Sequence, residues 1–470
     1  MENSFIKYVA FIALIFSSAC KVSKDIEKPQ PALPAAFRDA SITDTASIAD
    51  IGWKQFFTDQ TLQNLIDSAI ANNYDMQYAL KNIQSAQLVL KQTKYAYLPD
   101  ANLNVTGSIT RPSDNSLNGI SLSQFLGKSY IEDYSANVSL SWEADIWGKI
   151  KEQKAIALAQ YLQTTEARKA IQTSIVANIA QSYYNLLMLD EQLSIAKQNV
   201  LLNDSTLKMI RLQYDAGQQT ALAIQQADAQ RLVAVQLVPQ FEQEITIQEN
   251  ALSILTGVLP TTIKRNITLS TVAVPENSPT GIPAEMLNRR PDVKTNELAI
   301  DLANAQTGIA KANMYPSLSI TAQAGINSFK ISNWFNIPAS LFGAVAGGIT
   351  QPLFQRKQLQ TQYELAKVNR EKAVINFRST VLNAVGEVSD ALIKIKKLKE
   401  QQSIAATRVN TLQQAIGNAN QLFRNGLATY LEVITAQSNS LQGELELASL
   451  KQAQLTANIE LYKSLGGGWR

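Results

Sequence analysis

The chain has 470 residues, 46% of them apolar, and a formal net charge of +3. That is enough to bury a core, and too near neutrality for a surface steered onto nucleic acid by charge. It holds no histidine and a single cysteine, which removes the commonest general base and metal ligand and excludes an intrachain disulfide or a cysteine-cluster metal site. With no nucleophile–base or metal constellation in view, an enzyme is the least expected class, and no cofactor is expected.

Residues 1–19 read as a signal peptide. Lys7 supplies positive charge, Tyr8 to Phe16 form a short apolar region, and Ser17-Ser18-Ala19 precede the lone Cys20. This resembles a bacterial lipoprotein cleavage box, in which the cysteine becomes the first residue and carries acyl chains, although Ser17 stands where that box usually has leucine; the alternative is a plain secretory signal. Residues 20–55 then read as a lipidated tether, with Pro29, Pro31 and Pro34 keeping it extended. Lys21, Lys24 and Lys28 are diluted by Asp25 and Glu27 and read as solvated tether. No later run of ~20 apolar residues predicts a membrane helix.

A helical pattern runs from about Thr61 to Tyr97, where Leu98-Pro99 stops it. Leu103, Val105 and Ile109 then alternate with Asn104, Thr106 and Thr110, predicting a strand. Residues 111–133 read as a polar loop. Ala136, Val138, Leu140 and Trp142 alternate with Ser135, Asn137, Ser139 and Ser141, the cleanest period-two signal in the chain. From Lys149 to Ala216 there is neither proline nor glycine, so a helix of ~100 Å is predicted. After Gly217 a return helix runs to Gly257, and Pro239 is expected to cost it a hydrogen bond or a kink.

The second half repeats this order. A helix from about Asp292 to Met314 is stopped by Tyr315-Pro316. Leu318, Ile320, Ala322, Ala324 and Ile326 alternate with polar residues, and a fourth strand is placed near Leu341 to Ile349. A long helix from Gln355 to Asn425 turns at Gly426, and its return ends near Leu465. The tips are near copies, 209 positions apart: Tyr214-Asp-Ala-Gly217-Gln-Gln-Thr220-Ala-Leu222 and Phe423-Arg-Asn-Gly426-Leu-Ala-Thr429-Tyr-Leu431. A period-seven apolar ladder leads into each, Ile179 to Tyr214 and Val388 to Phe423, the second broken once by Gln402. The organisation expected is a first repeat at 56–258, an inter-repeat equatorial segment at 259–285, a second repeat at 286–465 and a C-terminal tail at 466–470.

Four two-faced strands fit a small sheet packed on helices, or membrane strands. Their length suits a tilted span, but four cannot close a barrel, so several copies must pool them: a dimer gives eight and a trimer twelve. Polar helix stretches such as Gln172-Thr173-Ser174 and Gln437-Ser438-Asn439-Ser440 suit a wet lumen wall or an ordinary solvated surface.

From near Trp53 to about Leu465, essentially the whole mature chain, the sequence resembles the TolC-like outer-membrane factor family, in its lipidated multidrug-efflux branch. The resemblance rests on Cys20, on Leu-Asn-Arg-Arg-Pro-Asp-Val at 287–293, on Ala-Asn-Met-Tyr-Pro-Ser-Leu at 312–318, on Phe423 to Gly426, and on Tyr430 to Gln437. It implies an α+β membrane protein with an internal two-fold repeat: a long α-helical coiled-coil barrel continued into an outer-membrane β-barrel, four strands per chain and twelve in a homotrimer. It implies a passive exit duct for drugs or other small toxic compounds, joined through a periplasmic adaptor protein to an inner-membrane proton-driven pump. Tyr214, Gly217, Thr220, Leu222, Phe423, Gly426 and Thr429 are the expected adaptor-contact tip. The family's closed gate uses Leu-x-x-x-Asp-Ala-Gln-Arg; here Leu431 is retained, while Thr435 stands for the acid and Ser438 for the arginine. Leu431, Thr435 and Glu432 are the expected periplasmic gate residues: a Leu431 ring is expected to dominate closure with Thr435 one turn away, and Glu432, ~100° round the helix, either lines the gate in its place or faces a neighbour. The alternatives are a duct for type I protein secretion and a lipid-anchored periplasmic coiled-coil scaffold.

Overall fold

The computed structural model describes residues 34, 36–38, 47–275 and 279–470. Cys20, the signal peptide and most of the tether lie outside the described residues.

The elements in chain order are α1 (Trp53–Phe56), α2 (Gln60–Asn72), α3 (Tyr74–Gln92), β1 (Asp100–Thr110), α4 (Leu117–Leu126), β2 (Ile131–Glu143), α5 (Lys149–Asp215), α6 (Ala221–Leu255), α7 (Pro283–Arg289), α8 (Pro291–Ala312), β3 (Ser317–Ser328), β4 (Leu341–Thr350), α9 (Gln358–Arg424) and α10 (Tyr430–Ser464). The repeat is exact in length: α5 and α9 have 67 residues each, α6 and α10 have 35 each. The chain divides into two compact units. One holds Gln84–Leu162 and Leu298–Ile375; the other holds the described part of Gln30–Ile83, with Gln163–Glu297 and Asn376–Arg470.

The first unit carries one antiparallel sheet in the order β1-β2-β3-β4. Its register places Leu103 opposite Val138, Val138 opposite Ala324, and Ala324 opposite Gly343. One step along, Asn102, Ser139, Gln323 and Ala344 form the next row. Because side chains alternate, the apolar rows share one face and the polar rows the other. Gly325 is required where β3 passes β2, since a β-carbon there would lie 2.2 Å from the Ala136 carbonyl oxygen. The segment read as a polar loop holds α4, capped by the Ser116 hydroxyl and closed by Gly127 at φ 61°.

The second unit contains most of each helical hairpin: α5 from Gln163, α6, α9 from Asn376, and α10. Asn73 divides the expected first helix in two: its Oδ1 accepts the Asp75 and Met76 N–H groups, and its Nδ2 donates to the Leu255 carbonyl at 3.0 Å. A side-chain acceptor at a helix start competes with continuation of the helix, and α3 begins afresh there. Pro239 sits inside α6 without ending it. Arg290, just before α8, is buried and pairs with Asp292 (2.7 Å) and Glu387 (2.6 Å), and donates to the Ser464 carbonyl. Burial by itself would raise the Asp292 carboxyl; the hydrogen bond and charge of Arg290 outweigh it and hold that group below its ordinary value.

The stretch read as a C-terminal tail is packed. Gly466, Gly467 and Gly468 are buried, Thr173 donates to the Gly467 carbonyl at 3.1 Å, and Lys169 lies over the Trp469 ring at 4.6 Å.

Candidate functional site

Two surfaces carry the chemistry, each within its own unit. The first is the sheet. On its apolar face Leu103, Val105, Ile109, Val138, Leu140, Val345 and Ile349 are exposed in the single chain. Among the described residues both edges, β1 and β4, are unpaired. Open edges and a bare apolar face together demand more strands and an apolar solvent. The other face satisfies itself: Asn104 donates to Ser139 at 3.0 Å, Asn137 to Ser135 at 3.2 Å, and Asn327 to Asp133 at 2.8 Å. Aromatic residues mark both ends of the strands. Tyr134 lies against Trp334 at 5.9 Å at one end; at the other, Trp147 stacks on Tyr315 at 4.8 Å and donates to the Pro316 carbonyl. Amphipathic rings of this kind settle at membrane–water boundaries. No described helix is long and apolar enough to cross a membrane.

The second surface is the tip of the hairpins. Gly217 (φ 76°) and Gly426 (φ 73°) adopt the left-handed conformation that closes a helix. Each tip makes the same pair of bonds: Gln218 N–H to Gln213 and Gly217 N–H to Tyr214, then Leu427 N–H to Leu422 and Gly426 N–H to Phe423. Thr220 caps α6 by accepting the Ala223 N–H. Thr429 caps α10 in a capping box with Glu432, whose carboxylate accepts the Thr429 N–H at 2.9 Å and its hydroxyl. The Thr429 hydroxyl and the backbone N–H groups hold Glu432 below its ordinary carboxyl value.

The structure separates the tip residues named from sequence. Tyr214, Gly217, Thr220, Leu222, Gly426 and Thr429 are exposed. Phe423 is a correction. It is 2% exposed, within a cluster of Leu207, Ile210, Ala223, Ala227, Ala419 and Val433 that joins the two hairpins. Its matched partner Tyr214 is 45% exposed, so the two copies diverge: one aromatic faces outward and the other is a core anchor. Glu432 is engaged with its own helix start through the Thr429 capping box. Leu431 and Thr435 fall on one exposed stripe of α10, with Asn439 and Gln442 continuing it, while Val433 and Gln437 point into the packed side.

Sequence reasoning missed the polar seam between α5 and α10. Gln437 is 0% exposed and donates to the Thr206 hydroxyl at 2.8 Å. Gln192 donates to Ser449 at 3.0 Å. Tyr430 adds a bond from α10 to α6, its hydroxyl donating to Gln226 at 2.6 Å. Gln437, Ser440, Gln172 and Thr173 were candidates for a wet wall; all four are buried. No local signal distinguishes a buried amide from a solvated one. The cue available is that Gln437 shares the helix face of Val433 and Leu441.

The chain matches the Outer membrane efflux protein family over residues 65–258 and 282–467. It belongs to that family: it is an efflux duct of the outer membrane with an α+β channel fold, and not an enzyme. It is 27% identical to the cation efflux system protein CusC of Escherichia coli O6:H1 across 99% of each chain. It is also 27% identical to the toluene efflux pump outer membrane protein TtgC of Pseudomonas putida, covering 96% of this chain and 93% of that one. A crystal structure of CusC superposes with a TM-score of 0.84 at 26% identity, covering 96% of this chain and all of that one.

Proposed function

We propose that three copies of this chain form the passive exit duct of a tripartite efflux assembly, and that an inner-membrane proton-driven pump feeds it through a periplasmic adaptor. The observation that carries this reading is the sheet with two open edges and one bare apolar face. Four strands cannot close, and twelve from three chains supply a barrel of a size known in outer membranes. The polar face then lines a wet lumen, and the apolar face meets lipid. Cys20 anchors the chain through a covalent lipid; no other cofactor is needed, because conduction is passive. The exposed tip residues Tyr214, Gly217, Thr220, Leu222, Gly426 and Thr429 are the adaptor's contact. The cargo proposed is small toxic compounds: CusC is a cation efflux protein and TtgC a toluene efflux protein, so ducts similar to this one serve both chemistries.

In the closed duct, three copies of Leu431 form the narrowest ring, with Thr435 one turn along the same stripe. Planar-bilayer recordings of purified oligomers test this. Leu431→Ser should raise conductance by removing apolar contacts, and Thr435→Asp should increase cation selectivity by gathering carboxylates in a narrow passage. Unchanged conductance in Leu431→Ser, with an increase on replacing Glu432, would show that the wrong side of α10 was assigned to the lumen. A chain lacking its first 20 residues that stays soluble and monodisperse without detergent would favour the scaffold reading.

A further inference from the structure

The two repeats differ at one joint. Where β2 passes into α5, the left-handed residue is Gly148 (φ 76°), directly before Lys149. The matched position before α9, 209 residues on, is Lys357, at φ 61°, and Arg356 before it is also left-handed at φ 48°. These are the only non-glycine residues with positive φ among those described. The conformation disfavours any residue with a β-carbon, and glycine meets it freely, as the first repeat shows. Two long basic side chains at such a bend are therefore explained by what they contact rather than by the turn itself.

Their surroundings indicate the contact. Leu353 and Phe354, just before the basic pair, are 93% and 85% exposed. Arg356 and Lys357 are exposed too, and neither side chain makes a described ion pair. No Asp or Glu occurs between Asp301 and Glu364; Glu143 and Asp145, which line the cavity beside the bend, are engaged by Lys149 and by the Ile150 and Lys151 N–H groups. The bend follows the end of β4 at Thr350. Thr350 and Pro352 line the same small cavity as Trp147 and Tyr315, the stacked aromatic pair at this end of the sheet. That level is the boundary between the membrane strands and the aqueous helices.

We propose that the Leu353–Lys357 bend is a binding site for the anionic phospholipid headgroups of the leaflet on the helical side of the membrane. Arg356 presents a planar fork to a phosphate, and Lys357 adds a point charge. Leu353 and Phe354 enter the acyl boundary beside them, as apolar side chains of interfacial anchors do. This rests on the outer-membrane reading of the sheet.

The test uses the full-length protein reconstituted into vesicles of phosphatidylcholine alone or mixed with phosphatidylglycerol, with the lipids retained on the protein measured by native mass spectrometry. Wild type should prefer phosphatidylglycerol, at about fivefold per basic side chain. The double variant R356G/K357G keeps a backbone that glycine accommodates. It should insert into phosphatidylcholine at the wild-type level, keep its oligomer size, and lose that preference, roughly 30-fold for the pair. The charge-preserving R356K/K357R should retain most of it. An undiminished preference in the double-glycine variant overturns the proposal. So does displacement of the lipid by millimolar inorganic phosphate alone, which would mark a free-phosphate site. Loss of the oligomer with lipid preference intact also overturns it, by showing that a neighbouring copy covers the bend. Failure of the wild type to enter phosphatidylcholine vesicles would instead sink the membrane reading on which the site depends.

Discussion

A charge placed on the apolar face of the sheet tests the membrane assignment directly. Val138 lies midway between Tyr134 and Trp142 on β2, opposite Leu103 on one side and Ala324 on the other. At a rise of ~3.4 Å per residue and a strand tilt of ~40°, it sits about 10 Å from either boundary, close to the middle of the apolar band. An arginine at that depth costs about 2–4 kcal/mol per chain on the lipid face, falling to ~0–1 kcal/mol near the interfaces. Ser139, one residue on, shares its row with Asn102 and Gln323 on the polar face, where an arginine meets water and should cost less than about 1 kcal/mol. The assay is urea unfolding from lipid vesicles, with outer-membrane fractionation in cells as a second readout. Val138→Arg should lower the unfolding free energy and reduce the membrane-inserted fraction, and Ser139→Arg should leave both near wild type. Equal losses from the two, or equal tolerance, would refute the assignment of faces and with it the lipid-facing sheet.

Thr206→Val removes the acceptor for the buried Gln437 amide, whose Oε1 already lacks a hydrogen-bond partner. It should cost about 1–3 kcal/mol in thermal or chemical unfolding, and the double variant Thr206→Val/Gln437→Leu should recover much of that loss. Because the folded Glu432 carboxyl is held below its ordinary value of 4.5, its cap contributes above that pH and is lost as pH falls through the lower folded value. The protection of amides at the start of α10, taken relative to their intrinsic exchange rate at each pH, should therefore fall below about pH 4.5, and Glu432→Gln should flatten the profile. Cys20→Ala should abolish acylation and leave oligomers that still insert, since the strands begin far downstream at Asp100; mass spectrometry of a mature wild-type N-terminus carrying no lipid would contradict the anchor.

The sequence alone determined what is local and periodic. Period-two alternation defined three strands and their two faces, because in a strand successive side chains must point opposite ways, and the repeated order of elements placed the fourth. The two hairpin glycines were legible because a left-handed helix end favours that residue, and the repeat was legible because both copies solve the same geometric problem. Tertiary structure decided what depends on distant partners. Gln437 and Thr173 are buried because Thr206 and the Gly467 carbonyl, 231 and 294 residues away, satisfy them; with those partners absent from the local pattern, each reads as a solvated polar residue. Phe423 and Tyr214 occupy matched places in matched sequences, yet one is core and the other surface, because the second hairpin packs its aromatic against the first. The segment 466–470 is a clasp rather than a tail for the same reason: three glycines carry no periodicity, and only the approach of Thr173 and Arg289 to their backbone shows what they hold.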